Sequence, residues 1–331
     1  MLRPIVTILS AAVAAGAAIA VSTDQSVSGA PIKTVVQLQQ NGTQFENLVT
    51  RTDGTILATR IDVPEIWWID PADPTHTQVI TIEGDVVSVL GITETSPNVY
   101  AFNAGNVTSQ GAVDGSFQIW GLDLTHGEPQ TYPISKIDRA SFLNGIATLD
   151  PKTVIVTDTN LSLLWKVDIS TGHYEIFLQD PSMAIPEGSS IPAGINGVHI
   201  HNGYLYFTNT AQMSLSRFPI TKNGTIAGSI QQIAEGFMCD DFDVQPDGTV
   251  YLPTAAQNTV IRVLLDGRVQ QVAGTADSLA VGGGTAAQFG RGLHQKKTLF
   301  VTTSGDRFSP INGTLMEPGK LVAVDLSAVI P

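Results

Sequence analysis

The sequence has little cysteine, little charge and few basic residues. Its 331 residues include one cysteine, Cys239, and only 14% are charged. A single cysteine excludes an intrachain disulfide framework and a cysteine-based zinc site. Lys and Arg number 17 against 30 Asp and Glu, and the resulting net charge of −13 disfavours nucleic acid as a partner. Because 43% of the residues are hydrophobic, the low charge also excludes a disordered chain.

An extended apolar run occurs at the N-terminus. Arg3 precedes small and apolar residues from Ile5 to Ala18, and Ala18-Ile19-Ala20 has the small-x-small pattern of a cleavage site. We therefore expect a secretory signal peptide over 1–20 and a single domain over 21–331 that does not bind membranes after cleavage. The run is short for a membrane span, but a retained N-terminal anchor is the alternative.

N-glycosylation sequons support an exported chain. Five asparagines are followed by x-Ser/Thr with x not proline: Asn41, Asn106, Asn160, Asn223 and Asn312. Roughly two would occur by chance at this composition. The sequons predict a glycoprotein that is secreted or held in a compartment of the secretory pathway.

The rest of the chain has a repeating all-β pattern. Short stretches rich in Val, Ile, Thr and aromatic residues alternate with Asp-Gly, Asn-Gly and Pro turns. Units of paired strands begin near residues 46, 90, 144, 196, 240 and 289, and a third and a fourth strand fit after each pair. Six such units predict a six-bladed β-propeller with four-stranded blades. A two-sheet sandwich or irregular β structure is the alternative.

The two ends of the repeat region complement each other. The last unit has only three strands and ends at Leu326, whereas the stretch Ile32–Leu38 precedes the first unit without a blade of its own. We expect this stretch to complete the sixth blade as its outer strand, which closes the ring and covers a sheet edge. A closed ring needs no partner to complete its core, so we expect a monomer.

Polar residues that open the inner strands should meet in the central channel. The repeat register places four residues there: Glu46, Asn144, Asn196 and Asp240. Carboxylate and amide oxygens are ligands that suit Ca²⁺ or another hard divalent ion. Alternatively, the Asn and Asp residues only begin turns at strand ends. The pattern leaves open whether a metal is bound.

From about Ile32 onward, this period and these four positions resemble the SMP-30/gluconolactonase/LRE-like propeller superfamily. The resemblance implies a divalent-metal site made by the four residues, with Asp240 as general base in lactone hydrolysis. The segment Phe142-Leu143-Asn144-Gly145 lacks the substrate-contacting Arg and the second Asp that the superfamily has in this motif.

Several longer motifs are similar to fungal, signal-bearing six-bladed propellers of natural-product pathways. They are Phe45–Leu48, Phe142–Gly145, Gly194–Gly197, Tyr204–Thr210, Asp240–Phe242 and Ala286–Arg291. Members of known activity are hetero-Diels–Alderases of tropolone–sesquiterpenoid (eupenifeldin-type) biosynthesis. They join a tropolone o-quinone methide to a humulene-type terpene and form a dihydropyran ring. The resemblance implies a reaction of this class.

A cycloaddition needs two apolar reactants held in one geometry and requires no cofactor. Candidate substrate-binding residues beside the inner strands are Phe45, Phe142, His199, Phe237, Met238 and Phe289. The phenylalanines and the methionine have an alternative role in packing between blades. Dehydration to a quinone methide needs a proton donor, and hydrogen bonds stabilise a developing oxyanion. Candidates for these catalytic roles are Glu46, Asn144, Asn196, Asp240 and Asp241, and His199 is a further acid–base candidate.

Three functions stay open at this point. The first is a pericyclase whose partners are hydrophobic small molecules. The second is a lactone or ester hydrolase in which Asp240 is the base and a divalent metal such as Ca²⁺ the Lewis acid. The third is a secreted binding propeller without catalysis.

Overall fold

The structure, a computed structural model, describes residues 29–330, so the predicted signal peptide lies outside the described residues. Six antiparallel four-stranded sheets follow one another along the chain and confirm the six-bladed propeller. Within 29–330 the helices are three single 3₁₀ turns, Pro74–His76, Pro181–Met183 and Leu279–Val281. None of the helices in this part of the chain has the length and hydrophobicity needed to cross a membrane.

In blades 1–5 the strands run from the channel outward in chain order. The strands of blades 1 to 3, with β1, are β1 (Ile32–Gln37), β2 (Phe45–Thr50), β3 (Ile56–Arg60), β4 (Glu65–Ile69), β5 (Gln78–Thr81), β6 (Ser88–Ser96), β7 (Val99–Gly105), β8 (Val107–Thr108), β9 (Gly111–Ala112), β10 (Gln118–Asp123), β11 (Gln130–Lys136), β12 (Leu143–Asp150), β13 (Thr153–Asp158), β14 (Leu163–Asp168) and β15 (Tyr174–Gln179). Strands β8 and β9 form a small separate hairpin within blade 2.

The strands of blades 4 to 6 continue this numbering. They are β16 (Ile195–His201), β17 (Tyr204–Asn209), β18 (Ser214–Pro219), β19 (Gln231–Glu235), β20 (Asp243–Val244), β21 (Val250–Pro253), β22 (Thr259–Val263), β23 (Val269–Gly274), β24 (Gly284–Phe289), β25 (Thr298–Thr303) and β26 (Lys320–Asp325).

Blade 6 is closed by the N-terminal strand, as the sequence predicts. Strand β1 pairs antiparallel with β26, from Ile32 opposite Val324 to Gln37 opposite Lys320. The strand order in this sheet is β1-β26-β25-β24, so β1 is the outermost strand. The main-chain groups of β1 form hydrogen bonds with β26, which would otherwise be an open edge strand.

The core lies between neighbouring blades. One apolar cluster joins Leu57 and Ile66 of blade 1 to Phe102 and Trp120 of blade 2. Central strands are therefore covered on both faces, which explains unbroken apolar runs such as Val154–Val156, all three fully buried.

In blade 6 the repeat register predicted from the sequence is wrong. The sequence places the start of the sixth inner strand near Phe289, but β24 begins at Gly284 and ends at Phe289. Strand β24 begins with small residues and has no Asn or Asp at its start. Its first large apolar side chain is Phe289, the last residue of the strand, so the sequence pattern suggested a start there. Thr285 occupies the place that Glu46 and Asn144 hold in their own blades.

Candidate active site in the central channel

The inner strands are held by side chains of the preceding blade. In four places a polar residue of a second strand donates a hydrogen bond to the backbone carbonyl of the residue near the start of the next inner strand. These bonds are Thr59 Oγ1 to Leu90 O (2.6 Å), Asn103 Nδ2 to Asn144 O (2.7 Å), Thr157 Oγ1 to Asn196 O (2.6 Å) and Thr208 Oγ1 to Asp240 O (2.7 Å). These bonds fix the start of four inner strands against the blade that precedes each of them.

Glycines let the inner strands approach one another closely. A Cβ atom on Gly91 would lie 2.2 Å from Asn144 O, and one on Gly145 would lie 2.6 Å from Asn196 O. No side chain fits at such separations. At the equivalent position blades 1 and 5 carry Asn47 and Asp241 instead, and these two side chains are hydrogen-bonded to each other.

The structure brings Glu46, Asn144, Asn196 and Asp240 together at one end of the channel, and we call this group the carboxylate layer. Glu46 interacts electrostatically with Asp240, and Asn144 lies beside Glu46 as Asn196 lies beside Asp240. Asn196 Nδ2 donates to Thr210 Oγ1 at 2.9 Å. The buried Asn196 Oδ1 has no hydrogen-bond partner among the described residues. The layer therefore contains two carboxylates and an unused acceptor.

Burial makes both carboxylates harder to ionise. It raises the pKa of Glu46 to about 7, although the nearby Arg307 guanidinium and a hydrogen bond from Gln44 oppose the rise. Burial, together with repulsion from Glu46 and Asp241, raises the pKa of Asp240 well above its usual range. A cation bound here would relieve this repulsion.

The donor set suits a hard divalent cation, with two carboxylates and the amide oxygens of two asparagines as ligands. Within residues 29–330, however, no three His, Cys, Asp or Glu side chains are grouped so that they could hold a metal. Such an ion would therefore depend on the asparagines and on water. Arg307 already supplies one positive charge beside Glu46.

A hydrogen bond crosses the channel below the carboxylate layer. Asn47 Nδ2 of blade 1 donates to Asp241 Oδ2 of blade 5 at 2.7 Å. Asp241 Oδ1 accepts from the backbone N–H of Phe242 at 2.8 Å. Burial raises the pKa of Asp241, and the neighbouring His199 opposes the rise. This bridge is the floor of a cavity that continues toward the other end of the channel.

The cavity has a volume of about 220 Å³ and is lined by the inner strands of five blades and by the residues just before the inner strand of blade 5. Its apolar lining residues, all but Ile200 buried in the packing between blades, are Leu48, Val49, Ile92, Ile146, Ala147, Val198, Ile200, Phe242 and Ala287. Its polar lining consists of Asn47, Thr93, Glu94, Thr148, His199, Asp241, Gln288 and Arg291. Eight of the seventeen lining residues are polar, so the channel offers a small cavity of mixed polar and apolar character to a ligand.

His199 is the histidine that lines this cavity. Its Nε2 lies 3.7 Å from Asp241 Oδ1, and its Nδ1 lies 4.0 Å from Asp243 Oδ1. Its ring packs on Phe242 with the centroids 5.0 Å apart. Asp243 Oδ2 accepts a hydrogen bond of 2.8 Å from the Phe289 N–H. An imidazole in this position is a candidate for general acid–base catalysis on a molecule in the cavity.

The five apolar residues proposed from the sequence do not line the cavity. Phe45 packs edge-on against Trp67 (5.4 Å), Phe142 against Phe117 (5.9 Å) and Phe289 edge-on against Tyr251 (5.0 Å). Phe237 belongs to a buried core cluster, and Met238 is half-buried next to it.

Strand alternation explains why these residues pack between blades. Neighbouring residues of a strand point to opposite sides, so Phe45 turns away from the channel that Glu46 faces. The residues that border the cavity follow two or three positions after each opening, such as Leu48, Ile146 and Val198, although these side chains also belong to the core between blades. Their common position in the repeat is a signal that the sequence contains.

Sequence reasoning also missed the charged pair at the open end of the cavity. Arg291, in the turn after β24, forms a salt bridge with Glu94 of β6, and its Nη1 also donates to Thr50 O at 3.2 Å. We call Arg291 and Glu94 the rim pair. Arg291 ends the motif Ala286–Arg291 noted in the sequence. Its position beside Glu94, however, depends on how blades 6, 1 and 2 are arranged in the closed ring.

The predicted glycosylation sites lie in connections between strands. Asn41, Asn160, Asn223 and Asn312 are exposed, and Asn106 is half-buried. The topology puts four of them on the face of the carboxylate layer, whereas Asn223, between β18 and β19, lies on the face where the cavity opens.

The fold is shared with several solved β-propellers. A luciferin-regenerating enzyme superposes with a TM-score of 0.65 at 11% identity, covering 89% of this chain and 95% of that one. A gluconolactonase from Xanthomonas campestris gives 0.61 at 12% identity, with 90% of each chain covered. The calcium-binding protein regucalcin from Agrobacterium tumefaciens gives 0.60 at 12% identity, covering 90% of this chain and 94% of that one. At these identities the likeness concerns the fold alone.

In sequence the chain is similar to proteins that bear the name "Putative hetero-Diels-Alderase". One of them, asR5 from Sarocladium schorii, is 27% identical over 311 residues, which cover 81% of this chain and 77% of the relative. Another, from Phoma sp, is 26% identical over 295 residues, covering 79% of this chain and 84% of the relative. No protein-family model matches the chain. The resemblance predicted from the sequence motifs is confirmed.

Proposed function

We propose that this protein is a hetero-Diels–Alderase that joins an o-quinone methide, such as that of a tropolone, to the alkene of a humulene-type sesquiterpene. The observation that carries the proposal is the cavity in the channel, which residues of all six blades line and in which His199 and Asp241 lie side by side near the floor. The names of the sequence relatives support the same reaction class.

The reaction itself is concerted and needs no protein nucleophile. The heterodiene O=C–C=C and the alkene C=C form one C–O and one C–C bond, and three π bonds become one. The walls would hold the two reactants at bonding distance and exclude other orientations. A volume of about 220 Å³ is below the roughly 300–1,000 Å³ of typical ligand pockets. We therefore place one reactant in the cavity and the other at its open end.

His199 would prepare the heterodiene. Protonated His199 donates its proton to the leaving hydroxyl of a hydroxymethyl precursor, which departs as water. A carboxylate takes the proton from the ring hydroxyl, and Asp241 at 3.7 Å from the imidazole is the nearest one. The proton then returns to His199 and the cycle closes. During bond formation, the second N–H of Asn47 Nδ2, which also donates to Asp241, can hydrogen-bond the carbonyl oxygen that gains charge.

The test is product formation with purified protein, a quinone methide precursor and the terpene. We expect one stereoisomer of the dihydropyran, and His199→Gln should slow formation about 100-fold when the precursor must lose water. With a quinone methide generated chemically, the same variant should keep most of its rate. A racemic product at the background rate with wild-type protein would contradict the proposal.

A second candidate function rests on the carboxylate layer. Glu46, Asn144, Asn196 and Asp240 would hold a divalent ion that supplies Lewis acidity, and Asp240 would act as base on a lactone or ester. The partnerless Asn196 Oδ1 favours it. Asp240→Asn should abolish such hydrolysis but leave cycloaddition nearly unchanged, because the floor separates Asp240 from the cavity. A third candidate, a secreted binding propeller, would bind ligand without turnover in either assay.

A further inference from the structure

Arg291 has a distinct position at the open end of the cavity. Among the described residues that line the cavity, it is the only Lys or Arg side chain. The side chain is 41% exposed, so that both solvent and a ligand in the cavity can reach it. In a chain with a net charge of −13, this cation is an unusual local feature.

The backbone on both sides of Arg291 is fixed. Gly290 N–H donates to Thr298 O at 2.9 Å, and a Cβ on Gly290 would lie 2.4 Å from the Gln295 Cβ. A Cβ on Gly292 would lie 2.9 Å from the Gly54 Cα, and Gln295 Nε2 donates to Gly54 O at 3.0 Å. The turn is therefore packed against blade 1, and the arginine begins from a rigid base.

The contacts of the guanidinium use one of its nitrogens. Nη1 donates to Thr50 O and pairs with Glu94. Glu94 is itself held, since its Oε1 accepts from the Asn98 N–H at 3.1 Å and from the Tyr100 hydroxyl at 3.4 Å. Within residues 29–330, Nε and Nη2 of Arg291 make no hydrogen bond. The Nε–Nη2 edge, with its two parallel N–H groups, is left for a ligand.

We propose that this edge binds two neighbouring oxygen atoms that share a negative charge, such as the oxygens of an ionised tropolone. A guanidinium donates two parallel hydrogen bonds to such a pair, which a lysine does not. The proposal rests on the proposed function and deepens it. Arg291 would hold the oxygen pair that faces the open end and so direct the reacting oxygen of the same molecule toward His199 and Asp241 at the floor. A carboxylate has the same chemistry and is the other source of such an oxygen pair.

Glu94 sets the strength of this site. It positions the guanidinium, but its charge also offsets part of the attraction for an anion. Glu94→Gln keeps an oxygen for Nη1 and removes the charge, so it should strengthen anion binding. This opposite response of the two members of the rim pair distinguishes a ligand site from a salt bridge that only stabilises the fold.

The experiment is calorimetric titration of the full protein with tropolone, at a pH where tropolone is ionised. The comparison ligands are 2-methoxytropone, in which one oxygen is methylated and the charge is lost, and benzoate. We expect Arg291→Gln to weaken tropolone binding about tenfold or more, and Arg291→Lys to weaken it less. Arg268→Gln, which removes an exposed arginine paired with Asp266 on another blade, should leave it unchanged. Binding of 2-methoxytropone should not respond to Arg291→Gln.

Equal tropolone affinity for the wild type and Arg291→Gln, with both folded by circular dichroism, overturns the inference. Arginine-dependent binding supports it, and the ratio of tropolone to benzoate affinity identifies the source of the oxygen pair. The proposed function is judged separately. A wild type that binds tropolone through Arg291 but makes no cycloadduct contradicts the function alone. A cycloadduct formed by Arg291→Gln with unchanged KM for the oxygen-bearing reactant contradicts the inference alone.

Discussion

Replacing Glu46 by Gln should change how the stability of the protein depends on pH. Glutamine keeps the shape and the hydrogen-bonding capacity of a protonated glutamate, but it never ionises. In the folded protein the pKa of Glu46 is raised from 4.5 to about 7, chiefly by burial. The folded state therefore holds this proton to a higher pH than the unfolded state. Its stabilising contribution is complete below pH 4.5 and is lost as the pH rises through 7.

The size of the effect follows from the two pKa values. At about 1.4 kcal/mol for each tenfold change in the ionisation constant, the interval from 4.5 to about 7 corresponds to about 3 kcal/mol. For roughly 300 structured residues, an unfolding entropy of about 2.1 cal/mol/K per residue converts this energy into about 5 °C in melting temperature. Glu46→Gln should match the wild type near pH 4.5 and melt about 5 °C above it at pH 8.

The assay is thermal unfolding from pH 4.5 to 8 in the presence of a chelator. Chelation is necessary because a divalent ion would stabilise the ionised form and hide the effect. Glu128→Gln, at an exposed turn residue, is the control and should follow the wild type throughout. Parallel pH profiles for the wild type and Glu46→Gln would refute the reasoning. Calcium added at pH 8 should raise the melting temperature of the wild type more than that of the variant if the carboxylate layer binds metal.

Three further predictions concern the fold and its modification. Gly145→Ala should destabilise the protein by about 3 kcal/mol or more in denaturant unfolding, because its Cβ would meet backbone atoms of the next blade 2.6 to 3.0 Å away. An unchanged midpoint would contradict this close approach. Removal of residues up to Leu38 should lower the melting temperature and promote association measured by light scattering, because β26 becomes an open edge; a monomer of full stability would speak against ring closure by β1. In protein from a eukaryotic secretory host, enzymatic deglycosylation should lower the mass, and Asn160→Gln should remove one glycan; an unchanged mass would contradict the sequon assignment.

Much of the architecture was predictable because propeller blades repeat. The regular spacing of turns gave the six units, and the absence of a fourth strand after Leu326 pointed to Ile32–Leu38 as the strand that completes the ring. Blade 6 shows where this reasoning fails. Its inner strand has Thr285 where other blades have an Asn or an acidic residue. Without that residue, the predicted start of the strand was Phe289, whereas the strand begins at Gly284.

The candidate site was predictable only at one end of the channel. Glu46, Asn144, Asn196 and Asp240 share one repeat position, and the structure brings them together. The cavity lies beyond the bridge between Asn47 and Asp241, which forms between nonadjacent blades and has no signature in the repeat. Likewise, the rim pair joins blades 2 and 6, and its contact distance depends on the curvature of the closed ring.

Ring closure also has a consequence for how the chain acquires its structure. The contacts between β1 and β26 join residues that are almost three hundred positions apart, the largest sequence separation of any strand pair in the fold. Bringing such distant segments together is slow and loses much chain entropy. During synthesis, β1 can pair with β26 only after the rest of the chain has been made. We therefore expect the last blade to form in the final step of folding, and the chain to be most prone to aggregation until then.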